Sequence, residues 1–278
     1  MSRLPTLFVS HGAPTLAIEP GSTGPMLGAL GRELPLPKAI LVVSAHWETA
    51  APEVSAANSP ETIHDFWGFP RPLYSIQYRA PGAPALARRV KDLLDAAALP
   101  AKIDPRRGLD HGAWVPLLFM YPSADVPVAQ LSIQTHLGVQ HHYALGCALA
   151  PLAEEGVLIV GSGSITHNLQ EVFGGGPRPV APEYVDAFRD WIAERLASED
   201  VESLLDYRRR APDAARAHPT EGHFVPLLFA LGAAGSHARA TRLHDEVTFG
   251  VIGMDAYAFG APVVRPVATE GVGSAAGS

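Results

Sequence analysis

The sequence predicts an α/β fold class, a single-domain α/β/α sandwich around a central mixed, largely parallel sheet. Short apolar runs bounded by turn residues alternate along the chain with longer segments of helical periodicity. This alternation is typical of a sheet that helices cover on both faces. The chain has 278 residues and shows no repeat of fixed period, so it can form one large domain. We expect that domain to span residues 1–267, and the Gly-, Ser- and Ala-rich residues 268–278 to form a disordered tail.

Each predicted strand is a short apolar run between turn residues. The strands are Thr6–Ser10, Ala39–Ala45, Val128–Ile133 and Val157–Val160. Each predicted helix instead places apolar residues on one face, as Leu86, Val90 and Leu94 do in the first of them. The helices are Ala83–Leu99, Val139–Glu154, Pro182–Ser198, Val201–Arg209 and His223–Ala234. Strands that alternate with helices in this way favour parallel pairing.

The composition argues against several classes of protein. The formal net charge is −7 and no Lys/Arg-rich run occurs, which argues against a nucleic-acid-binding surface. No apolar stretch approaches the roughly 18 residues that cross a bilayer, and the first residues lack the apolar core of a secretory leader. Cys147 is the single cysteine, which excludes an intramolecular disulfide and a thiolate-rich zinc site. We expect a cytoplasmic protein without nucleic-acid or membrane partners, in which histidines and oxygen groups would hold any metal.

Three of the apolar runs lead directly to a histidine. His11 and His46 follow the first two predicted strands, and His167 follows the fourth after the turn Gly161–Ser164. Groups just past the carboxyl ends of neighbouring strands meet in the crevice where open α/β sheets usually bind ligands. Imidazole is the commonest nitrogen ligand for metals and also transfers protons near neutral pH. Although each histidine alone fits a structural role, the three together predict a metal-centred active site.

Two further histidines stand in apolar surroundings. His111 is either a group at the edge of a dry pocket or a satisfied core histidine, and the adjacent Asp110 points elsewhere. His223 begins an apolar helix with Glu221 two residues before it. Spacing does not decide which of His218, Glu221 and His223 faces a metal.

Other segments have a functional and a structural interpretation. The aromatic stretch His64–Pro70 fits a lid over a flat apolar substrate or ordinary core packing. Gly161–Ser164 has neither the Walker pattern nor that of a nucleophile elbow, so its glycines are expected to let the backbone approach the site closely. His141 and His142 are interpreted as surface or capping residues, and Tyr257 as a substrate contact or a packing residue.

These residues lie in motifs that resemble the class III extradiol ring-cleaving dioxygenases of the LigB superfamily, and in particular their branch of bacterial and plant 4,5-DOPA dioxygenases. The resemblance covers most of the chain, and its motifs occur in the expected order. They are His11–Pro14, Ser44–Glu48, His64–Phe66, Leu109–Gly112, Gly161–Leu169 and Glu221–Leu227.

The resemblance implies one divalent metal per chain, Fe(II) for dioxygenase activity, in a site that Zn(II) can also occupy. It implies that His11, His46 and His223 are metal ligands, with His223 where the wider superfamily has a glutamate. His167 matches an acid/base histidine and is close enough to the metal in zinc-loaded relatives to be a ligand, so it is assigned both roles. His111 matches the second proton-transfer histidine. The implied substrates are a DOPA-like catechol and O2.

Two other functions remain open at this point. A Zn(II)-dependent hydrolase on the same scaffold would use His167 as the general base for a metal-bound water. A metal-free relative would act as a binding protein, although the presence of all five histidines speaks against it. A requirement for O2 separates the dioxygenase from the hydrolase, and metal analysis separates both from the binding protein. The sequence fits a monomer or a homodimer.

Overall fold

The computed structural model describes residues 3–174, 180–237 and 239–260. Within this part of the chain an eight-stranded sheet has the order β4-β3-β5-β2-β6-β1-β10-β7, and β8 and β9 form a separate hairpin. The strands are β1 (Thr6–Ser10), β2 (Ala39–Glu48), β3 (Glu53–Ser55), β4 (Lys102–Asp104), β5 (Val128–Ile133), β6 (Val157–Gly163), β7 (Ala240–His244), β8 (Val247–Thr248), β9 (Ile252–Gly253) and β10 (Ala256–Phe259). The four central strands β5, β2, β6 and β1 are parallel, while β10 and β7 add antiparallel pairs at one side. The predicted mixed, largely parallel sheet is therefore confirmed.

Helices cover both faces of this sheet. They are α1 (Thr23–Glu33), α2 (Pro84–Ala96), α3 (His111–Met120), α4 (Gly138–Leu149), α5 (Leu169–Gly174), α6 (Glu183–Ala197), α7 (Val201–Leu205), α8 (Tyr207–Arg210), α9 (Ala214–Ala217) and α10 (Val225–Ala234). On one face α10 packs on β6 and β1 with α4 against it, and on the other α3 packs on β2 beside α1. The α/β/α prediction is thus also confirmed.

Two of the three strands that lead to the predicted site extend beyond their predicted ends. β2 continues to Glu48 and β6 to Gly163, whereas β1 and β5 have the predicted bounds. His46 therefore lies within β2, where the pairing with β5 shifts register between Val43 and Glu48. Such an irregularity redirects side chains at the end of a ladder.

The predicted helices are present with shorter or divided bounds. The segment predicted as Val201–Arg209 forms α7 and α8, and α4 is followed by a short 3-10 helix at Ala150–Ala153. α10 begins at Val225, so His223 precedes it in a loop. No helix of the described residues is both long enough and apolar enough to cross a membrane. The predicted tail at 268–278 lies outside the described residues.

The interpretation of His142 as a surface or capping residue is wrong. Its side chain is fully buried, because α4 places it between the helix and the end of β5. The Gln134 N–H donates to His142 Nε2 at 3.0 Å, and His142 Nδ1 donates to the Gly138 oxygen at 2.7 Å. Both ring nitrogens are satisfied only when the ring is neutral.

Candidate metal centre

The histidines predicted at strand ends lie on three adjacent strands. β6 lies between β1 and β2, with Ser10 opposite Gly163 and Ser44 opposite Ser162. This register brings the carboxyl ends of the strands level with one another. His11 directly after β1 and His46 in β2 therefore meet, with ring centroids 4.9 Å apart.

His223 enters the same crevice from the loop before α10. This loop and the first turn of α10 lie against β6 so closely that two glycines are required. A Cβ atom on Gly163 would lie 2.1 Å from the His223 carbonyl oxygen, and one on Gly161 would lie 2.1 Å from that of Pro226. The Ser164 N–H donates to the His223 oxygen at 2.9 Å, which fixes the loop on the strand end. The glycines thus allow the close backbone approach that the sequence suggested.

Three imidazoles converge in the crevice. His11, His46 and His223 each bring one ring nitrogen within 4.8 Å of the others. The Nε2 atoms of His11 and His46 are 3.0 Å apart. Nitrogen ligands at about 2.0–2.1 Å from one metal ion lie about 3 Å from each other, so this spacing fits a shared cation.

The hydrogen bonds behind the rings define which nitrogen carries the proton. The Ser162 hydroxyl donates to the Gly112 carbonyl oxygen at 2.5 Å, so it accepts from His11 Nδ1 at 2.9 Å. His46 Nδ1 lies 3.4 Å from a carboxylate oxygen of Asp65. With both protons on Nδ1, two Nε2 lone pairs face each other across 3.0 Å. A cation between them turns this repulsion into coordination.

The rings are also in the protonation state that metals require. Burial, followed by the neighbouring His46, lowers the pKa of His11 well below its ordinary value. Burial and the neighbouring His111 lower the pKa of His46 to about 3, and burial and the neighbouring His167 lower that of His223. Neutral imidazole is the ligand form that Fe(II) and Zn(II) bind. The donor set present in this structure therefore fits a divalent metal.

His111 lies beside these three rings as the first residue of α3. Its ring centroid is 3.9 Å from that of His46 and 5.4 Å from that of His11. Asp110 caps the helix by accepting from the Ala113 N–H, and it also accepts from the hydroxyl of Ser44 at 2.6 Å. Asp110 therefore does not orient the His111 ring, as expected from the sequence. That contact comes from Asp65, whose Oδ2 is 3.0 Å from His111 Nδ1.

His167 lies beside His223. Its ring stacks on that of His223, with centroids 3.5 Å apart and planes at 7°. Its backbone N–H donates to the Ala217 oxygen at 2.8 Å. Burial and the neighbouring His111 lower the pKa of His167 to about 4, so this ring is neutral near pH 7.

The structure shows which of His218, Glu221 and His223 faces the candidate metal site. His218 is buried, and its Nε2 lies 2.7 Å from the Ile165 oxygen. Glu221 accepts from the Tyr207 hydroxyl and pairs with Arg208 at 3.1 Å. Of the three, His223 is the one that joins the cluster.

Aromatic side chains pack against one another next to His111. The Phe66 ring is 5.7 Å from that of His111 and 5.2 Å from that of Tyr74. Trp67 follows at the surface with 89% of its area exposed. Tyr257, in contrast, is buried and stacks on Phe259, which fits the packing interpretation of that residue.

Two functional partners were not identified from the sequence. Ser162 lies in the Gly161–Ser164 turn, and the alternation of side chains along β6 places it on the sheet face opposite the two glycines. That alternation was a usable signal. Asp65 lies in a loop far in sequence from both His46 and His111, and no spacing rule connects it with them.

Residues 6–260 match the model of a protein family described as the catalytic LigB subunit of aromatic ring-opening dioxygenase. The chain is 46% identical over 262 residues to a 4,5-DOPA dioxygenase extradiol of Beta vulgaris, covering 91% of this chain and 96% of the relative. It is 41% identical to a protein of the same name from Escherichia coli K12, covering 84% of this chain and 86% of the relative.

Among solved structures, the chain is similar to the crystal structure of an uncharacterised protein from Escherichia coli K12. The TM-score is 0.76 at 32% sequence identity, and the match covers 93% of this chain and all of that protein.

Proposed function

This chain belongs to the family of the catalytic LigB subunit of aromatic ring-opening dioxygenases, and we propose that it opens a DOPA-like catechol by extradiol cleavage with O2. The observation that carries the proposal is the cluster of three neutral imidazoles whose ligand nitrogens lie within 4.8 Å of one another. Relatives that share up to 46% of its residues are named 4,5-DOPA dioxygenase extradiol, which supports the substrate class.

His11, His46 and His223 would hold the metal, and the native ion would be Fe(II). Bound Fe(II) supplies the redox chemistry that couples an ortho-diol to O2. Ser162 and Asp65 keep the Nδ1 protons of His11 and His46 on the far side of the rings, so that Nε2 is free for coordination. Zn(II) would be held by the same nitrogens but lacks this redox chemistry.

His111 is the proposed proton-transfer residue on the α3 side. Asp65 holds its Nδ1, so Nε2 is the atom that can exchange a proton with a substrate oxygen. The ring lies 3.9 Å from that of His46, within reach of a diol bound at the metal ligands. The Phe66 ring beside it provides an apolar surface for an aromatic substrate.

His167 is the proposed acid/base residue beside His223. Its ring is neutral near pH 7 and can accept a phenolic proton from the substrate. The flat stack on His223 supports this role rather than that of a fourth ligand, because stacked rings do not point their nitrogens at a common centre.

Location and assembly are further proposals. A single cysteine supports a reducing compartment, and thus the cytoplasm. We propose a monomer or a homodimer whose partners are the catechol and O2.

Oxygen uptake tests the proposed function. The protein is reconstituted with Fe(II) without air and offered DOPA, other catechols, and resorcinol, whose separated hydroxyls cannot chelate. We expect uptake and a yellow ring-opened product with the ortho-diols alone, with both oxygen atoms of O2 in the product. Protein shown to hold Fe(II) that consumes no O2 with any catechol contradicts the proposal.

A further inference from the structure

One carboxylate, that of Asp65, contacts two of the clustered histidines. Its Oδ1 accepts from the backbone N–H of His111 at 2.9 Å, and its Oδ2 lies 3.0 Å from Nδ1 of the same residue. The same Oδ2 is 3.4 Å from Nδ1 of His46. Although the residue lies at the surface, its side chain is only 21% exposed.

The loop that carries Asp65 is attached to the start of α3. The Ile63 N–H donates to the Leu109 oxygen at 2.8 Å, and Trp114 Nε1 donates to the Ile63 oxygen at 3.0 Å. On the next residue His64 Nε2 lies 3.0 Å from the Ile76 oxygen. Because backbone and side-chain bonds hold the loop before Asp65, its carboxylate is fixed relative to His111.

The carboxylate is ionised at neutral pH. An aspartate carboxyl group has an ordinary pKa of about 3.9, and the hydrogen bonds from the ring and backbone of His111 stabilise the anionic form of Asp65. An ionised carboxylate only accepts hydrogen bonds. The His111 ring therefore donates its Nδ1–H to the carboxylate, and the anion 3.4 Å from His46 Nδ1 favours the proton on that nitrogen as well, so Nε2 is the unprotonated atom of both rings.

We propose that Asp65 is a positioning residue that fixes, with one carboxylate, the tautomer and orientation of the metal ligand His46 and of the proton-transfer residue His111. The proposal rests on the proposed function for the roles of those two histidines. On the His46 side it is a carboxylate–histidine–metal arrangement. On the His111 side the same carboxylate holds Nδ1, and it thereby fixes the direction in which Nε2 can transfer a proton.

Direct ligation is the competing role for this carboxylate. Asp65, His46 and His111 each offer a ligand atom within 4.8 Å of the others. However, both oxygens of Asp65 already accept from N–H groups of His111. A metal at this position would also require Nδ1 of His46, whereas its Nε2 faces His11 at 3.0 Å. The geometry therefore favours positioning over ligation.

The substitution Asp65→Asn changes this arrangement without a change of size. An amide has one oxygen, so it cannot accept at both of the positions that Oδ1 and Oδ2 of Asp65 occupy. If its oxygen keeps the backbone bond, its NH2 faces His111 Nδ1 and forces the proton to Nε2. We expect the histidine side-chain nitrogen spectra of Zn(II)-loaded protein to show Nδ1–H at His46 and His111 in the wild type, and Nε2–H at His111 in the variant.

Zinc affinity and a double-mutant cycle complete the test. We expect Asp65→Asn to weaken Zn(II) binding by ~10–100-fold in competition with a chelator. In Fe(II)-saturated enzyme it lowers kcat with little change in KM, and it causes a smaller loss in a His111→Ala background than in the wild type, because only its contact with His46 remains to be lost. Glu61→Gln, an exposed carboxylate in the same loop, is the matched control and changes none of these quantities.

Three outcomes overturn the proposal. Unchanged tautomers together with unchanged Zn(II) affinity in Asp65→Asn mean that Asp65 positions neither histidine. A second equivalent of Zn(II) that is lost only in Asp65→Asn means that it is a ligand. A full additional loss of kcat in the His111→Ala background means that it acts independently of His111. The spectra and the zinc titration require no ring cleavage, so they judge this proposal even if the proposed function fails.

Discussion

At the scale of single residues, the proposed chemistry depends on which nitrogen of each imidazole ring carries the proton. Ser162 accepts from Nδ1 of His11, and Asp65 lies next to Nδ1 of His46. In the proposed site neither of these two residues is a metal ligand, yet each favours the tautomer in which Nε2 is available to the metal. The five histidines could be found from the sequence because strand ends and motifs mark them. The alternation of side chains along β6 could also have indicated Ser162, whereas Asp65 could not be found, because no spacing pattern connects its loop with the two rings.

The substitution His46→Ala is expected to remove both metal and turnover. It deletes one of the three nitrogens that lie within 4.8 Å of one another. The loss of metal affinity should exceed the ~10–100-fold effect of removing a partner behind a ligand. Metal content after dialysis measures this directly, with the exposed His136→Ala as control. If His46→Ala retained one metal per chain, His46 would not be a ligand.

The substitution His111→Ala should separate metal binding from turnover. His111 bonds Asp65 through Nδ1 and stands outside the three-nitrogen group, so metal content should remain that of the wild type. Loss of a proton-transfer group lowers turnover by ~10²–10⁴-fold. Steady-state oxygen uptake by the Fe(II)-loaded variant provides the measurement. Equal turnover in variant and wild type would assign His111 to packing.

At the scale of elements, the site depends on how closely the His223 loop approaches β6. We expect Gly163→Ala to displace this loop, because the new Cβ would meet the His223 oxygen at 2.1 Å. Metal affinity should therefore fall, and the protein should unfold at a lower urea concentration than the wild type. Gly174→Ala is the matched control, since no atom lies within 4 Å of its added Cβ. Wild-type metal affinity in Gly163→Ala would show that the loop can move without consequence.

The elements also show which parts of the fold a sequence reveals. β1 and β5 have the predicted bounds because turn residues end their apolar runs on both sides. α3 was not predicted, because it is apolar on all sides and contains Pro116, so periodicity does not mark it. α1 was not predicted either, because it contains Gly24, Gly28 and Gly31, which lower helix propensity. The reason for Gly31 is tertiary, since a Cβ there would lie 2.0 Å from the Met120 oxygen.

At the scale of the whole molecule, bound metal should contribute to stability. A ligand that binds only the folded state stabilises it by about 2.7 kcal/mol at a free concentration of 100 times its Kd. We expect the melting temperature to rise when Zn(II) is added to metal-free protein, and to rise much less in His46→Ala. Differential scanning fluorimetry with and without a chelator tests this. An identical rise in both proteins would place the stabilising metal elsewhere.

The metal-free protein should lose stability in mild acid, because the fold buries several histidines as neutral rings. Burial lowers the pKa of His142 to about 4, although its hydrogen bond to the Gly138 oxygen opposes the shift. Histidine in an unfolded chain titrates near pH 6.5, so between about pH 6.5 and 4 the unfolded state binds more protons. Stability is therefore complete above this window and falls as the pH decreases through it.

His142→Gln is expected to reduce that dependence, since glutamine does not titrate but can still accept from the Gln134 N–H. Within the window each such histidine contributes about 1.4 kcal/mol per pH unit to the slope of the unfolding free energy. Urea unfolding of metal-free protein at several pH values should show a dependence of the unfolding free energy on pH that is smaller by this amount in His142→Gln than in the wild type. Equal slopes in wild type and His142→Gln would mean that His142 is protonated in the folded protein as readily as in the unfolded chain.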